Sequence, residues 1–450
     1  MQGTTLVIGI LGSILVLLLR PAFALGAYFA VLVWYPDYLR VSIGTLDISA
    51  GRIVIAVLVL RCLINDKVRT EFAWSRFDTW VAASMGVYVV MYLATHALSG
   101  AIENQGGFVM DAWLVYLATR LCIRDREAMV AVVKVIALIL VPLALLGVIE
   151  AVTHWYSYRN MHQYCPWRPE VPAVEMRWGF LRAQGPFSHS IMFGACFVMF
   201  LPLVWWLRRQ RGYWGSVAYL LSAITVLGGL SSMSSGPWGM LTIVIFCLAL
   251  EKYSYRLKGV LMLLVVFCLL VEIGSNRPFY HVVLNYCNFG KGDWYQRARL
   301  IDVAIEHFDE WWLAGYGDKG PGWEEDLNAK VTDVNNEFIL NGVRYGMLGV
   351  VALVGVLVAA GRDLARGFRQ TADKALRSLY WALGSSLVGV IVIWQGVSFF
   401  GQATSLFYIL LGLVGSSFEL AKEESVATGR RVQRVANDSL LLGYGQVGKT

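Results

Sequence analysis

The chain reads as an all-α polytopic membrane protein of about 12–13 transmembrane helices with two long external loops, the second containing an amphipathic helix. Three observations carry that reading. Of the 450 residues 57% are hydrophobic and 15% charged, with a mean hydropathy of +0.57, far from the balance of soluble globular domains. Most of the sequence divides into apolar runs close to the length that crosses a hydrocarbon core. Lys and Arg concentrate in alternate connections between those runs, the pattern that sets membrane orientation.

The apolar runs are 4–19, 21–36, 52–65, 79–98, 107–121, 128–150, 189–207, 213–230, 237–250, 259–275, 338–360, 377–395 and 401–418. Arg20 and Pro21 separate the first two with almost no loop, so these form a tight helical hairpin, or one of them inserts only partly and 12 spans remain. The N-terminus lacks a basic n-region and a small-residue cleavage site, and is read as a retained first span.

Orientation follows from the connections. The segments 61–76, 120–126, 208–211, 252–258 and 362–377 hold 18 Lys or Arg, whereas 37–52, 99–106, 231–236 and 396–400 hold only Arg40 and Arg52. The basic set belongs in the cytoplasm, which puts both long polar loops, 151–188 and 276–337, outside. The membrane domain is 1–420, and the polar tail 421–450 is cytoplasmic and expected to be disordered. The net charge of +7 is thus spent on orientation, and no nucleic-acid partner is implied. Seven cysteines without C-x-x-C or Cys/His spacing indicate neither a zinc site nor a redox motif. Cys165 and Cys287, one in each external loop, are free to pair in that compartment.

The loops carry the polar chemistry. The first contains Arg159, Arg168, Arg177 and Arg182 against Glu170 and Glu175, and ends in R-A-Q-G-P-F-S-H, where Gly185-Pro186 reads as a turn at the membrane surface. The second has eleven Asp or Glu against six Lys or Arg. From Arg297 to Trp312, the residues Leu300, Ile301, Ala304, Ile305, Phe308, Trp311 and Trp312 repeat at helical spacing and predict an amphipathic helix on an apolar support. Arg297 falls on the apolar stripe at the helix N-terminus, where an anion is favoured. Two arginine stations from different loops suit a diphosphate, because guanidinium forks pair phosphate oxygens bidentately. The plainer reading makes Arg182 a membrane anchor or the partner of a loop carboxylate, and Arg297 a salt bridge to Asp293 or Asp302. Arg299 points elsewhere on the helix; Arg177 and His189 are secondary candidates, and His281 and His307 weaker ones.

With these residues the chain resembles the O-antigen ligase and polymerase superfamily of bacterial membrane glycosyltransferases. The resemblance rests on R-A-Q-G-P-F-S-H at 182–189, on R-A-R-L-I-D-V-A-I followed by G-Y-G at 297–317, and on N-N-E-F-I-L-N-G-V-R-Y-G-M-L-G at 335–349. It implies a metal-independent enzyme without a cofactor, in the bacterial inner membrane with its active face periplasmic. The implied reaction moves a glycan from an undecaprenyl diphosphate donor to a sugar hydroxyl of an acceptor during lipopolysaccharide or exopolysaccharide assembly. Arg182 and Arg297 would bind the diphosphate by motif position. Membrane lipid and the lipid-linked glycan are the partners implied.

One departure bears on the base. Ligases of this kind carry His where this chain has Asn335-Asn336, and Asn takes no proton near neutral pH. The Asp333–Glu337 context resembles the exopolysaccharide polymerase form instead, which favours a polymerase over a ligase and leaves Glu337 or Asp333 as the carboxylate base, with Asn335 beside them. The alternative of a different class is a transporter or flippase for a lipid-linked or anionic solute. Transporters place ionisable groups at mid-membrane, and the centres of these spans are nearly free of them.

Overall fold

Arg20 and Pro21 stop one helix and start the next: α1 (Gln2–Leu18) turns through Arg20 into α2 (Pro21–Trp34), whose first residue is the proline. The two run antiparallel, since Thr5 at the start of α1 shares a hydrogen bond of 2.8 Å with Tyr35 just past the end of α2. The hairpin reading of this region therefore holds. The computed structural model describes residues 1–420 apart from positions 45, 71, 97, 167–170, 172, 287–293, 330 and 331. Cys287, Arg168, Asp293 and the tail 421–450 lie outside the described residues.

The connection after α2 is more ordered than its sequence suggests. Strand β1 (Arg40–Ile43) pairs antiparallel with β2 (Leu46–Ser49), setting Arg40 opposite Ser49, and Ser49 then caps α3 (Ala50–Ile64) by accepting from the Arg52 N–H. The short α4 (Asp66–Thr70) leads to α5 (Arg76–Thr95), opened by a reciprocal Ser75–Asp78 capping box. The run expected as one span over 107–121 is divided into α6 (Leu98–Asp111) and α7 (Trp113–Cys122). At the join, the Asp111 carbonyl accepts from Ser405 Oγ at 2.9 Å, and Ala112 is a turn residue at φ −114°, ψ −72°.

The body continues with α8 (Arg126–Thr153), α9 (Ser190–Trp206), α10 (Tyr213–Ser231), α11 (Ser235–Leu250) and α12 (Leu257–Gly274). In the second loop lie α13 (Phe279–Tyr286), α14 (Trp294–Glu306) and α15 (Phe308–Trp311), after which α16 (Glu337–Gln370), α17 (Lys374–Ile393) and α18 (Gln402–Leu420) close the fold. Among the described residues seven helices are long and apolar enough to cross a membrane: α5, α8, α9 with its following turn, α10, α16, α17 and α18. Helices α9 and α18 are buried nearly all round, so they form the axis of the bundle. Around them α8 and α10 pack on α9, α17 packs on α9 and α11, and α16 packs along α5.

Alternating direction gathers the connections into two ends. One end collects the basic connections: Arg120 pairs with Asp78 and Glu419 at 2.8 Å each, Arg126 with Asp373 at 2.8 Å, and Trp206 Nε1 donates to the Ala375 carbonyl at 2.7 Å. The other end collects 37–52, both long loops and the turn between α17 and α18.

The amphipathic helix differs from its sequence expectation in two respects. It breaks at His307, which leaves helical geometry at φ −98°, ψ 21° while its ring pairs with Glu310 at 2.7 Å and Asp326 at 3.1 Å. Its buried face is Ala298, Leu300, Val303, Ala304 and Trp311, whereas Ile305 is 62% exposed and Phe308 and Trp312 are also exposed. Leu300, Ala304 and Trp311 of the anticipated stripe are thus buried, and the small Ala298 and Val303 join them. Beyond it the loop docks into a break in α16. Gly346 has φ 69°, ψ −174°, which is open to glycine alone, and there Met347 N–H donates to the Trp312 carbonyl at 2.7 Å while Tyr316 N–H donates to Val343 at 2.6 Å.

Candidate functional site

Helix ends from across the bundle surround a cavity of about 880 Å³ at the end poor in Lys and Arg. Asp37, Tyr38 and Arg40 reach it from the connection after α2, Arg52 from α3, Asp111 from α6, and Ser188 to Ser190 from the start of α9. Glu337, Asn341, Arg344 and Tyr345 reach it from the first turns of α16, and Trp394, Phe399 and Gly401 from the turn between α17 and α18. Its volume matches that of a pocket for an extended small-molecule ligand.

Asn336 fixes the α16 side. Its Oδ1 accepts from the N–H groups of Phe338 and Ile339 at 3.0 and 3.2 Å, and its Nδ2 donates to the Gln395 carbonyl at 3.2 Å. The second asparagine of N-N-E-F is thus a helix cap that also ties α16 to the end of α17. Glu337 follows in the cavity wall, with Oε2 accepting from Phe399 N–H at 2.8 Å and Oε1 from Asn341 Nδ2 at 3.1 Å. Asp333 is exposed and does not line the cavity, nor does Asn335. Of the two proposed carboxylates, the geometry brings in Glu337 alone.

Buried Glu150 organises the first loop. It closes α8, and its carboxylate accepts from the N–H groups of Gln184 at 3.0 Å, Gly185 at 2.9 Å and Ser157 at 2.9 Å, fixing the R-A-Q-G turn. The fixed turn leaves Arg182 paired with Glu175, as the plainer reading anticipated, and donating from Nη2 to Ser234 Oγ at 2.9 Å. Ser234 in turn shares a 3.2 Å hydrogen bond with Ser190, which lines the cavity, as does Glu175. Arg182 therefore stands one layer behind the wall. His189 lines the cavity and caps α9, its Nδ1 accepting from Ile191 N–H at 3.1 Å. Arg177 lies with its guanidinium carbon 6.0 Å from the Trp178 ring centroid, outside the cavity.

Arg297 also misses the lining. Its guanidinium covers Gly396, where a Cβ would lie 2.8 Å from Nη1. Of the two carboxylates of the plainer reading, Asp302 is engaged by Tyr280 at 2.6 Å and His281 at 3.1 Å. Arg299 pairs with Glu306 at 2.9 Å. The expected meeting of Arg182 and Arg297 over one pocket is thus replaced by an indirect relation. A Cβ on Gly236, two residues after the partner of Arg182, would lie 3.6 Å from Val397, the neighbour of the glycine under Arg297. Both arginines flank the junction of the first turn of α11 with the turn after α17.

The sequence reading missed the opposite wall. Arg52 grips Asp111 with Nε at 3.0 Å and Nη2 at 2.6 Å, and Nη1 donates to the Asp47 carbonyl at 2.9 Å. Arg40 Nε donates to the Asp37 carbonyl at 3.1 Å. Burial pushes the Asp37 carboxyl up to about 6, against the opposing pull of Arg40. The signal was present in the sequence: Arg40 and Arg52 are the sole basic residues in connections that otherwise exclude them. Among the described residues no group of three or more His, Cys, Asp or Glu is placed to hold a metal ion.

No protein-family model matches the chain, and no curated protein is detectably similar to it.

Proposed function

We propose that the chain is a metal-independent membrane glycosyltransferase of cell-surface polysaccharide assembly, like the O-antigen ligases and polymerases it resembles, with a polymerase favoured over a ligase. The shorter apolar helices, α1, α2, α3, α11 and α12, and the α6–α7 pair would cross as well, giving about 13 spans with the cavity on the periplasmic side of a bacterial inner membrane.

The observation that carries the reading is the Glu337 carboxylate in the wall of a large cavity whose neighbouring junction is flanked by Arg182 and Arg297. An undecaprenyl diphosphate entering beside Glu175 would take that carboxylate's place on Arg182, exchanging one anion for a more highly charged one. The acceptor hydroxyl oxygen then bonds to the anomeric carbon as the bond from that carbon to the diphosphate oxygen breaks. Glu337 takes the hydroxyl proton, and the guanidinium groups hold the departing negative charge.

The test is transfer by the purified protein in lipid nanodiscs supplied with a lipid diphosphate glycan. Growth or relocation of the glycan supports the reading, and Glu337→Gln should abolish it while leaving donor binding intact. Movement of the intact lipid across the bilayer without any change in the glycan would support a flippase instead.

A further inference from the structure

Three residues in the cavity wall each carry a buried polar atom that the protein leaves without a hydrogen-bond partner. Asp37 Oδ1, Tyr38 Oη and Trp394 Nε1 are buried and make no hydrogen bond in the structure, and all three residues line the same space. Buried polar groups in native proteins are nearly always satisfied, so three orphans around one cavity mark what the occupant supplies. One of the three is an acceptor, one a donor, and the tyrosine hydroxyl is either.

That mixture selects the chemistry. A diphosphate accepts hydrogen bonds but repels Asp37, so it satisfies one side of the cavity and not the other. A hydroxyl both donates and accepts, and a sugar offers several on a compact frame. The surrounding charges agree: Arg52 is matched by Asp111, and Arg40 donates to the Asp37 main chain. Tyr38 stacks on His162 with ring centroids 4.5 Å apart, which fixes its ring in the cavity wall.

The turn before α18 joins the two halves of this set. Phe399 packs on Trp394 with centroids 5.6 Å apart, and Gly401 sits where any Cβ would fall 2.4 Å from Asp37 Oδ2. Beneath Asp37, Arg52 and Asp111 lies a further void of about 20 Å³, room for one water.

We infer that Asp37, Tyr38 and Trp394 form a hydroxyl-binding subsite that holds a neutral sugar of the glycan, with Asp37 accepting from one of its hydroxyls. The inference rests on the glycosyl-transfer reading for its ligand, and it sets the sugar between the connection after α2, which carries Asp37 and Tyr38, and Trp394 at the end of α17.

Two binding measurements on the full chain in nanodiscs test it. In one, the protein is passed over a panel of neutral hexose oligosaccharides and matching hexuronate oligosaccharides. In the other, undecaprenyl diphosphate without sugar is titrated. The wild type should retain neutral oligosaccharides; Asp37→Asn, which keeps shape but removes the charge and puts a donor in place of one of the two acceptor oxygens, should weaken retention by about tenfold or more and leave diphosphate affinity within about twofold. If Asp37→Asn does not fold, Trp394→Phe decides the matter by removing the donor. Unchanged retention in the folded variant, retention of hexuronates alone, or none by the wild type overturns the subsite. Retention that depends on Asp37 in a protein that does not bind the diphosphate keeps the subsite and overturns the glycosyl-transfer reading.

Discussion

Phe399 donates its backbone N–H to Glu337 Oε2 at 2.8 Å, and two residues later the main chain of Gly401 meets the carboxylate of Asp37. A single short turn thereby sets the positions of two cavity carboxylates that lie 300 residues apart in sequence. Trp394, which precedes that turn, accepts from the Glu337 N–H through its carbonyl at 3.0 Å, so the turn and the start of α16 hold each other.

Gly401 is the point at which this arrangement breaks most cleanly. It has φ 57°, and a Cβ there would lie 2.4 Å from Asp37 Oδ2. Gly401→Ala should lose about 1–2 kcal/mol from the left-handed backbone alone and, by displacing Asp37, lower glycan transfer by about tenfold or more. Gly44→Ala is the control, because its φ is 64° but nothing lies within 4 Å. It should lose comparable stability and keep its activity. Parallel thermal midpoints and transfer rates for the two variants check this, and equal activity loss in both would assign the effect to backbone strain.

The Asp37 carboxyl, raised by burial from 3.8 to about 6, gives a pH dependence of defined sign. Its folded value lies above its unfolded one, so this group favours the fold while protonated, and its contribution falls as pH rises from about 4 to about 6, by an amount on the order of 2–3 kcal/mol. Hydrogen-bond acceptance by the ionised carboxylate runs the other way and improves above about pH 6. Infrared titration should show a protonated carboxyl disappearing near pH 6 in the wild type and no such step in Asp37→Asn. A step unchanged by the substitution would belong to another group.

Helix content and the direction of the connections were legible because hydropathy and the Lys/Arg asymmetry act locally, over a single run. The contents of the cavity were not. Arg182 and Arg297 were found by motif, yet their distance from the lining depends on Ser234 and Gly396, partners supplied by distant helices. Arg40 and Arg52 were counted for orientation and passed over for chemistry, though a basic residue in a connection that excludes its kind needs a reason. The outcome at 297–312 has a similar cause: periodicity marked Ile305 and Phe308 as inward, but the docking of Trp311 Nε1 on the Ala304 carbonyl at 2.8 Å sets a different rotation.

The docking of the second loop makes its own prediction at Gly346. A Cβ there would lie 2.5 Å from the Leu313 carbonyl oxygen, and the backbone has the glycine-only φ of 69°. Gly346→Ala should expel the 312–316 segment from the break in α16, opening the Trp312–Met347 and Val343–Tyr316 hydrogen bonds. Limited proteolysis should then cut within 312–328 at least about tenfold faster, with the bundle intact. Unchanged cleavage would mean that the loop is held chiefly by Asp318, which accepts from Asn104 and Tyr92.

His307 adds a pH-sensitive element to the same loop. Glu310 first, and Asp326 with it, raise its pKa above the ordinary imidazole value, so the pairing stabilises the folded loop fully below the unfolded value of 6.5 and is lost as pH rises through the raised folded value. Hydrogen exchange over 306–326 should quicken as pH rises through that raised value, and His307→Gln should exchange at the faster rate throughout. Exchange in the wild type that does not vary with pH beyond its intrinsic chemistry would exclude the pairing as an anchor.

At the basic end the same ion-pair chemistry predicts opposite outcomes at two arginines. Arg120 has no exposed side-chain surface; it holds Asp78 at 2.8 and 3.0 Å and Glu419 at 2.8 Å, joining α5, α7 and α18, and Tyr116 also donates to Asp78. Removing it leaves two carboxylates in a dry interior without their cation, so Arg120→Ala should cost about 3–5 kcal/mol. Arg126 pairs with Asp373 at the same 2.8 Å, but its side chain is 47% exposed, and water and salt replace the partner it loses. Arg126→Ala should cost less than about 1 kcal/mol. Unfolding midpoints in detergent, compared at low and high salt, separate the two, because only the Arg126 effect should shrink with salt. A salt-sensitive loss at Arg120 would show that water reaches the Asp78 site, and the network would then be a surface one that happens to be covered.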